Sequence, residues 1–384
     1  SGSATIQPAV TVGSFTGAQS FSAAQTFDST YTFTGITGTN SGNIGSLTFG
    51  QLGSPTATDQ NSANVTVSNA ITAAGAIYVY GGNITTSAAV TTSTTGNVLL
   101  QASGDISISA AISSAGTITG TANNVGTSAA LTAAKEISLI ANAGNVNING
   151  NLTTTVSQKK IQLKASGYIA TQAARTITTN GGAIVLWSDS GDSGAGYIRL
   201  YAGTTLNSVN GGVARSDSGG GDIILGGGSA SANGYPTGPA ASNTTSYPGI
   251  WTSQSGTAAS ITKFYSGGGN IKFNGKSTST LAGISFPYAT TMWANGGQIS
   301  LTGTNTGSGF GVSIMDTAIA SNASDFYSSS NTAPAISITA SSNSASSFLS
   351  STYANAANMV YLQATGTGGI SISGTMSSLV NTPE

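Results

Sequence analysis

The sequence predicts an all-β chain: a parallel β-helix, or β-solenoid, with irregular coils and loop insertions. Three observations predict it. The first is a short recurring unit of Gly, Asn or Asp, then an apolar–polar–apolar triplet, then Ala, Ser or Gly. Its clearest copies lie between Gly96 and Leu163, at Asn97-Val98-Leu99-Leu100, Asp105-Ile106-Ser107-Ile108, Glu136-Ile137-Ser138-Leu139, Asn145-Val146-Asn147-Ile148 and Lys160-Ile161-Gln162-Leu163. Each triplet is a minimal strand with two side chains inward and one outward. One copy cannot bury its apolar face alone, so copies must stack. The second observation is spacing. Steps of roughly 19 to 25 residues, about one coil of a β-helix, separate Ile77 from Val98, Val98 from Ile118, Ile118 from Ile137, Ile161 from Ile184, Ile198 from Ile223 and Ile336 from Val360. Shorter steps, such as Val98 to Ile106, are read as other faces of the same coil. The third is the lack of any sustained amphipathic stripe at helical spacing in a chain rich in Gly, Thr, Ser and Asn, which disfavour helix.

Taken in order, residues 1–40 place a hydroxyl–Phe pair every six residues at Phe15, Phe21, Phe27 and Phe33. They predict an aromatic-rich strand segment that either caps the solenoid or joins it to the next subunit, because an open solenoid end presents unpaired backbone groups. Residues 41–228 carry the regular solenoid. Gly81-Gly82, Gly181-Gly182, Gly211-Gly212 and Gly219-Gly220-Gly221 stand at its corners, where positive φ is needed. Asn123-Asn124 is placed to start a hydrogen-bonded Asn ladder from coil to coil. Residues 229–260 hold Pro236, Pro239 and Pro248 with Tyr235, Tyr247 and Trp251. This reads as a loop insertion, since Pro cannot donate to a ladder. Residues 261–384 continue the solenoid less regularly, with a Ser- and Asn-rich interruption over 316–335.

Composition narrows the function classes. Only 5% of residues are charged, against roughly 25% in ordinary soluble domains. The net charge of −1 implies neither a nucleic-acid partner nor an anionic membrane. Every Lys and Arg lies between Lys135 and Lys276, so trypsin finds few sites, which suits an exposed extracellular setting. Cys and His are both absent, which removes disulfides, thiolate and imidazole metal sites, thiol nucleophiles and the Ser-His-Asp triad. No apolar run approaches the ~18 residues of a membrane-spanning helix, and no membrane insertion is expected. The start at Ser1 is read as the mark of a product trimmed from a longer precursor.

Candidate chemistry is sparse, and no catalytic, cofactor or metal residue is assigned. Asp189, Asp192, Asp217 and Asp222 form the one acidic cluster, near Arg199 and Arg215 in sequence. One coil of separation would bring Asp189 or Asp192 near Asp217, and paired carboxylates suit glycosidic hydrolysis or Ca²⁺-assisted elimination. The plainer reading, which we favour, is of polar corners in which Asp bonds its own backbone. Lys159, Lys160 and Lys164 make one basic knot, read as a solvated corner. Tyr235, Tyr247, Trp251, Trp187 and Trp293 are candidate ligand or partner contacts, because aromatic rings stack on sugars.

Units such as GNVLLQASGDISISAAI, AGNVNINGNLTT, GGAIVL, GGGDIILGGG and GGNIKFNG resemble the repeats of filamentous haemagglutinin-type bacterial adhesins and related secreted β-helix proteins. The likeness covers roughly 60–230 well and 265–376 loosely. It implies a right-handed parallel β-helix, secretion across a bacterial envelope, and adhesion or matrix building at the cell surface. Asn-Pro-Asn motifs of that family's secretion domain do not occur here, nor does the family lead one to expect the hydroxyl–Phe segment. The leading expectation is a non-enzymatic extracellular structural protein that self-associates into a filament, sheath or adhesive layer. The alternatives are a monomeric adhesin binding cell-surface glycans, and a β-helix polysaccharide lyase or hydrolase.

Overall fold

The computed structural model describes residues 64–211 (apart from 68, 69 and 74), 218–252, 261–314, 324–343 and 360–376. It also places the backbone of the strands Ser14–Gln19, Gln25–Phe27, Thr32–Ile36, Leu47–Phe49 and Phe348–Ser350. Every regular element among them is a β-strand. The chain forms two compact units, Ser1–Val156 and Ser157–Glu384. In both, each coil gives one strand in turn to three faces, and neighbouring coils pair in parallel. The architecture is a parallel β-helix.

In the first unit, face 1 holds Ile77–Gly81, Val98–Ala102, Ile118–Ala122 and Ile137–Ala141. Face 2 holds Ile84–Thr86, Ile106–Ile108, Val125–Thr127 and Val146–Ile148. Face 3 holds Val90–Thr92, Ile112–Ser114, Leu131–Ala133 and Leu152–Thr154. The register is strict: Ile77, Val98, Ile118 and Ile137 lie directly over one another, as do Ile84, Ile106, Val125 and Val146. These eight side chains are almost wholly buried, each contributing about 1.5–3 kcal/mol by leaving water. The alternation in each triplet compels the register, since a slip of one residue would turn every apolar side chain outward.

The residue before each face 2 strand joins a ladder. Asn83 donates from its backbone N and Nδ2 to Asn64 Oδ1, at 3.0 and 2.9 Å, and its own Oδ1 accepts from the backbone N of Asp105. Asn124 donates in the same way to Asp105 Oδ1 and accepts from the backbone N of Asn145. The ladder predicted at Asn124 is present, with Asp105 as one rung.

The N-terminal strands belong to the same sheets. Phe15 pairs with Phe33 across Ser14–Gln19 and Thr32–Ile36, and Phe33 pairs in turn with Val67 on face 2. Phe27 pairs with Phe49 on face 1. Phe21 lies outside the described residues, as do the side chains of Phe15, Phe27 and Phe33.

In the second unit the face 1 column is Ile161, Ile184, Ile223, Ile271, Ile299, Ile336 and Ile370. This corrects two of the coil steps. Ile198 is on face 2, paired with Ile169 and Ile250, not one coil from Ile223. Val360 is on face 3, paired with Ser324, while the coil partner of Ile336 is Ile370. Both errors arose because coils here carry long corners, so a face 2 or face 3 strand falls at the distance of a regular coil. The core changes with them: Phe264, Phe273, Phe286 and Phe326, all at most 2% exposed, replace smaller residues. They meet edge-on, with ring centroids 4.9 to 6.0 Å apart.

The segment read as a Pro/Tyr/Trp loop insertion contains strands. Ile223–Ala232 runs out of face 1 and turns back as Tyr235–Gly238 in antiparallel pairing. The turn is Asn233-Gly234, both with positive φ, the pair that two-residue hairpins prefer. Ala240–Ser242 then pairs beside face 1, and Ile250–Thr252 is a face 2 strand. Within the later Ser- and Asn-rich interruption, Ser324–Ser328 is a face 3 strand that buries Phe326.

Candidate functional site

Two surfaces of the second unit stand out. The first is the edge of Ile370–Met376, the last strand of face 1 among the described residues. It pairs along its whole length with Ile336–Ser342, from Ile336↔Ile370 to Ser342↔Met376. Ile336 and Ile338 at the preceding level are fully buried, whereas Ile370 and Ile372 are 45% and 53% exposed. These two isoleucines occupy inward register, and among the described residues no further coil lies over them.

The second surface is a groove of about 330 Å³ between the outer side of face 1 and the hairpin. Its floor is a set of outward-facing positions held in register: Ile224 beside Lys272 beside Ser300, and Asn274 beside Thr302. Its wall is the hairpin tip, with Asn233, Tyr235 and Pro236. Local sequence builds it. Gly226 has no side chain where the arm folds back; a Cβ there would meet Gly238 O at 3.0 Å and Pro236 Cγ at 3.4 Å. Asn274 Nδ2 donates to Thr237 O, tying floor to arm. At the arm's base the indole N–H of Trp187 donates to Gly228 O at 2.7 Å.

The groove mixes polar and apolar groups and carries one cation. Lys272 is exposed and has no ion-pair partner among the described residues. Asp222, the single carboxylate of the lining, accepts at Oδ1 from the backbone N and Nδ2 of Asn270, at 2.7 and 3.1 Å. Asn270 Oδ1 in turn accepts from the backbone N of Gln298. Asp222 is therefore a rung of a corner ladder like that of the first unit.

The five aromatic candidates divide among four places. Tyr247 and Trp251 come together on the outer side of face 2, in a stack that runs Tyr168, Tyr197, Tyr247, Trp251 with centroid separations of 4.9, 4.6 and 5.6 Å. The guanidinium of Arg199 lies 4.0 Å from the ring centroid of Tyr201 and 4.8 Å from that of Tyr247. Burial, reinforced by Tyr168 and Tyr247, pushes the Tyr197 phenol up to about 12 against the opposing charge of Arg199. Sequence reading did not single out Tyr168, Tyr197 or Arg199 as one cluster, because they become neighbours only through coil register. Tyr235 stands in the groove. Trp187, expected at a binding surface, is 5% exposed and lies under Lys164 at 4.2 Å, so it anchors the hairpin. Trp293 packs on Tyr265 and donates to Asp325 Oδ2 on face 3.

The described members of the acidic cluster are divided between two corners, Asp189 with Asp192 in one and Asp222 in the other. Asp189 is 1% exposed, and its Oδ1 accepts from the backbone N and Oγ of Ser193 and the backbone N of Gly194. It is a corner that bonds its own backbone. Asp192 lies exposed in the same corner, and Asp217 and Arg215 lie outside the described residues. Among the described residues no group of three acidic side chains is gathered to hold a metal ion. Comparison with protein-family models, with curated proteins and with solved structures found no match to this chain.

Proposed function

We propose that this chain is a non-enzymatic, extracellular structural protein of a bacterial surface, a β-solenoid subunit that assembles end to end into a filament, sheath or adhesive layer. The observation that supports this reading is the edge of Ile370–Met376. It offers a seven-residue ladder edge with two exposed isoleucines in core register. A surface of that form is completed by another coil with the same apolar–polar–apolar triplet, and a second copy of this chain carries such triplets throughout. Strand addition supplies backbone hydrogen bonds and the apolar column supplies the burial. The strands Ser14–Gln19 and Gln25–Phe27 come first in faces 2 and 1 of the first unit, and the segment 1–40 with Phe15, Phe21, Phe27 and Phe33 is the joining element in this reading. Low charge lets copies approach without repulsion. The repeat likeness to haemagglutinin-type adhesins points the same way on location.

Electron microscopy and sedimentation of the purified chain test it. Wild-type protein is expected to form filaments that lengthen with concentration. The double variant Ile370→Lys, Ile372→Lys and the chain lacking 1–40 are expected to raise the critical concentration at least tenfold, with the circular dichroism of a folded β-protein retained. Single particles of wild type at every concentration would overturn the reading, as would undiminished filaments of both variants.

A further inference from the structure

The groove beneath the hairpin is not used by end-to-end assembly, since it opens on the outer side of face 1 rather than at a strand edge. We infer that it is a binding site for a uronate-bearing oligosaccharide, a glycan segment of one or two sugar rings with a carboxylate seated on Lys272. Four features of the site converge on that chemistry. Its volume is about 330 Å³, at the small end of ligand-sized clefts. Its wall carries the half-buried ring of Tyr235, an apolar face with a polar tip of the kind that packs on a sugar while keeping a hydroxyl for hydrogen bonding. Its floor offers the amide of Asn274 and the hydroxyls of Ser300 and Thr302 in fixed register, donors and acceptors matched to a polyol. Its one basic group, Lys272, is free, while the carboxylate of Asp222 is held by Asn270. Lys272 is therefore the charged group of the lining that has no partner among the described residues, and the ligand group that complements it is an anion.

The floor also continues beyond the groove. On the same outer columns, Ser337 and Thr339 follow Ser300 and Thr302 at the next coil, and Ser371 and Ser373 follow those. Coils repeat at about 4.8 Å, so a hydroxyl-bearing track leads away from the mouth along the stacking direction. A longer glycan lies on that track with one end enclosed by the hairpin. The hairpin is fixed from outside the site by the bond from Trp187 to Gly228, so the wall is present before the ligand arrives, which limits the ordering cost of binding.

Titration calorimetry with two probes of equal length tests the inference on the full chain: a mannuronate tetramer and mannotetraose, which differ in the carboxylates. The expected result is that the mannuronate binds at least tenfold more tightly, and that added salt removes most of this preference. Lys272→Met is expected to abolish the preference. Tyr235→Ala is expected to weaken both ligands at least tenfold, and Lys263→Met, on face 3, to change nothing. Binding of neither probe, equal binding of both, or a Lys272→Met variant that behaves as wild type would overturn the inference. The measurement reads soluble complexes at low protein concentration, so its failure leaves the filament reading standing and the failure of that reading leaves the groove untouched.

Discussion

Thr127 turns its side chain into the interior of face 2, in the column that Ile108 and Ile148 fill at the neighbouring coils. It is 1% exposed and its Oγ1 has no hydrogen-bond partner among the described residues. A buried hydroxyl without a partner costs free energy that a methyl group of the same shape does not. Thr127→Val is therefore expected to raise the stability of the first unit by about 1 kcal/mol, read from the denaturant midpoint at constant slope. A lower midpoint would mean that the hydroxyl is bonded in solution. Contrast Thr92, whose Oγ1 donates to Gly96 O at 2.6 Å; there the same substitution removes a bond. Residue type alone does not separate the two threonines, because both sit third in a short strand. Only the corner that follows decides whether a carbonyl comes within reach.

Among the elements, the hairpin Ile223–Gly238 is where sequence reading and structure part most clearly. Three prolines in 229–260 argue against strands, yet Pro236 sits on a two-strand arm outside the main ladder, where a missing N–H costs little. Asn233-Gly234 was the legible signal, and it was masked by the surrounding Ala, Ser and Gly. Ser324–Ser328 was hidden for a different reason. Its inward positions are Ser, Phe and Ser, so it shows no apolar alternation, and the inward Ser328 hydroxyl is satisfied by Gly297 O at 2.6 Å. Face 3 as a whole is faint in sequence, since strands such as Ile112–Ser114 carry one large apolar residue followed by small ones. Face 1 was plain from Ile77 onward, because its strands there are long and keep Ile or Val at the first position. The groove was not legible at all beyond Tyr235, for its floor comes from strands that meet only through register. The hairpin's dependence on its anchor is testable: Trp187→Phe keeps the ring but loses the bond to Gly228. Amide exchange over 229–238 is expected to accelerate about three- to tenfold, as loss of one hydrogen bond implies, with exchange on Val98–Ala102 unchanged. Equal protection in both proteins would show that the arm is held by its own pairing.

At the scale of the whole molecule, the fold follows from one rule applied many times: a triplet that cannot bury its apolar pair alone is stacked on the next. Stability then grows by nearest-neighbour contact between coils, which is why ragged coil lengths are tolerated so long as the first residue of each face 1 strand stays in column. At the last described level of face 1, Ile370 and Ile372 stand in core register yet exposed. The central claim is that copies of the chain complete one another at that level, and X-ray diffraction from aligned filaments of the purified protein tests it most directly. Growth by coil addition sets strands across the filament axis, so a reflection at about 4.7–4.8 Å is predicted on the meridian. The same reflection on the equator, meaning strands parallel to the axis and side-by-side growth, would contradict the claim.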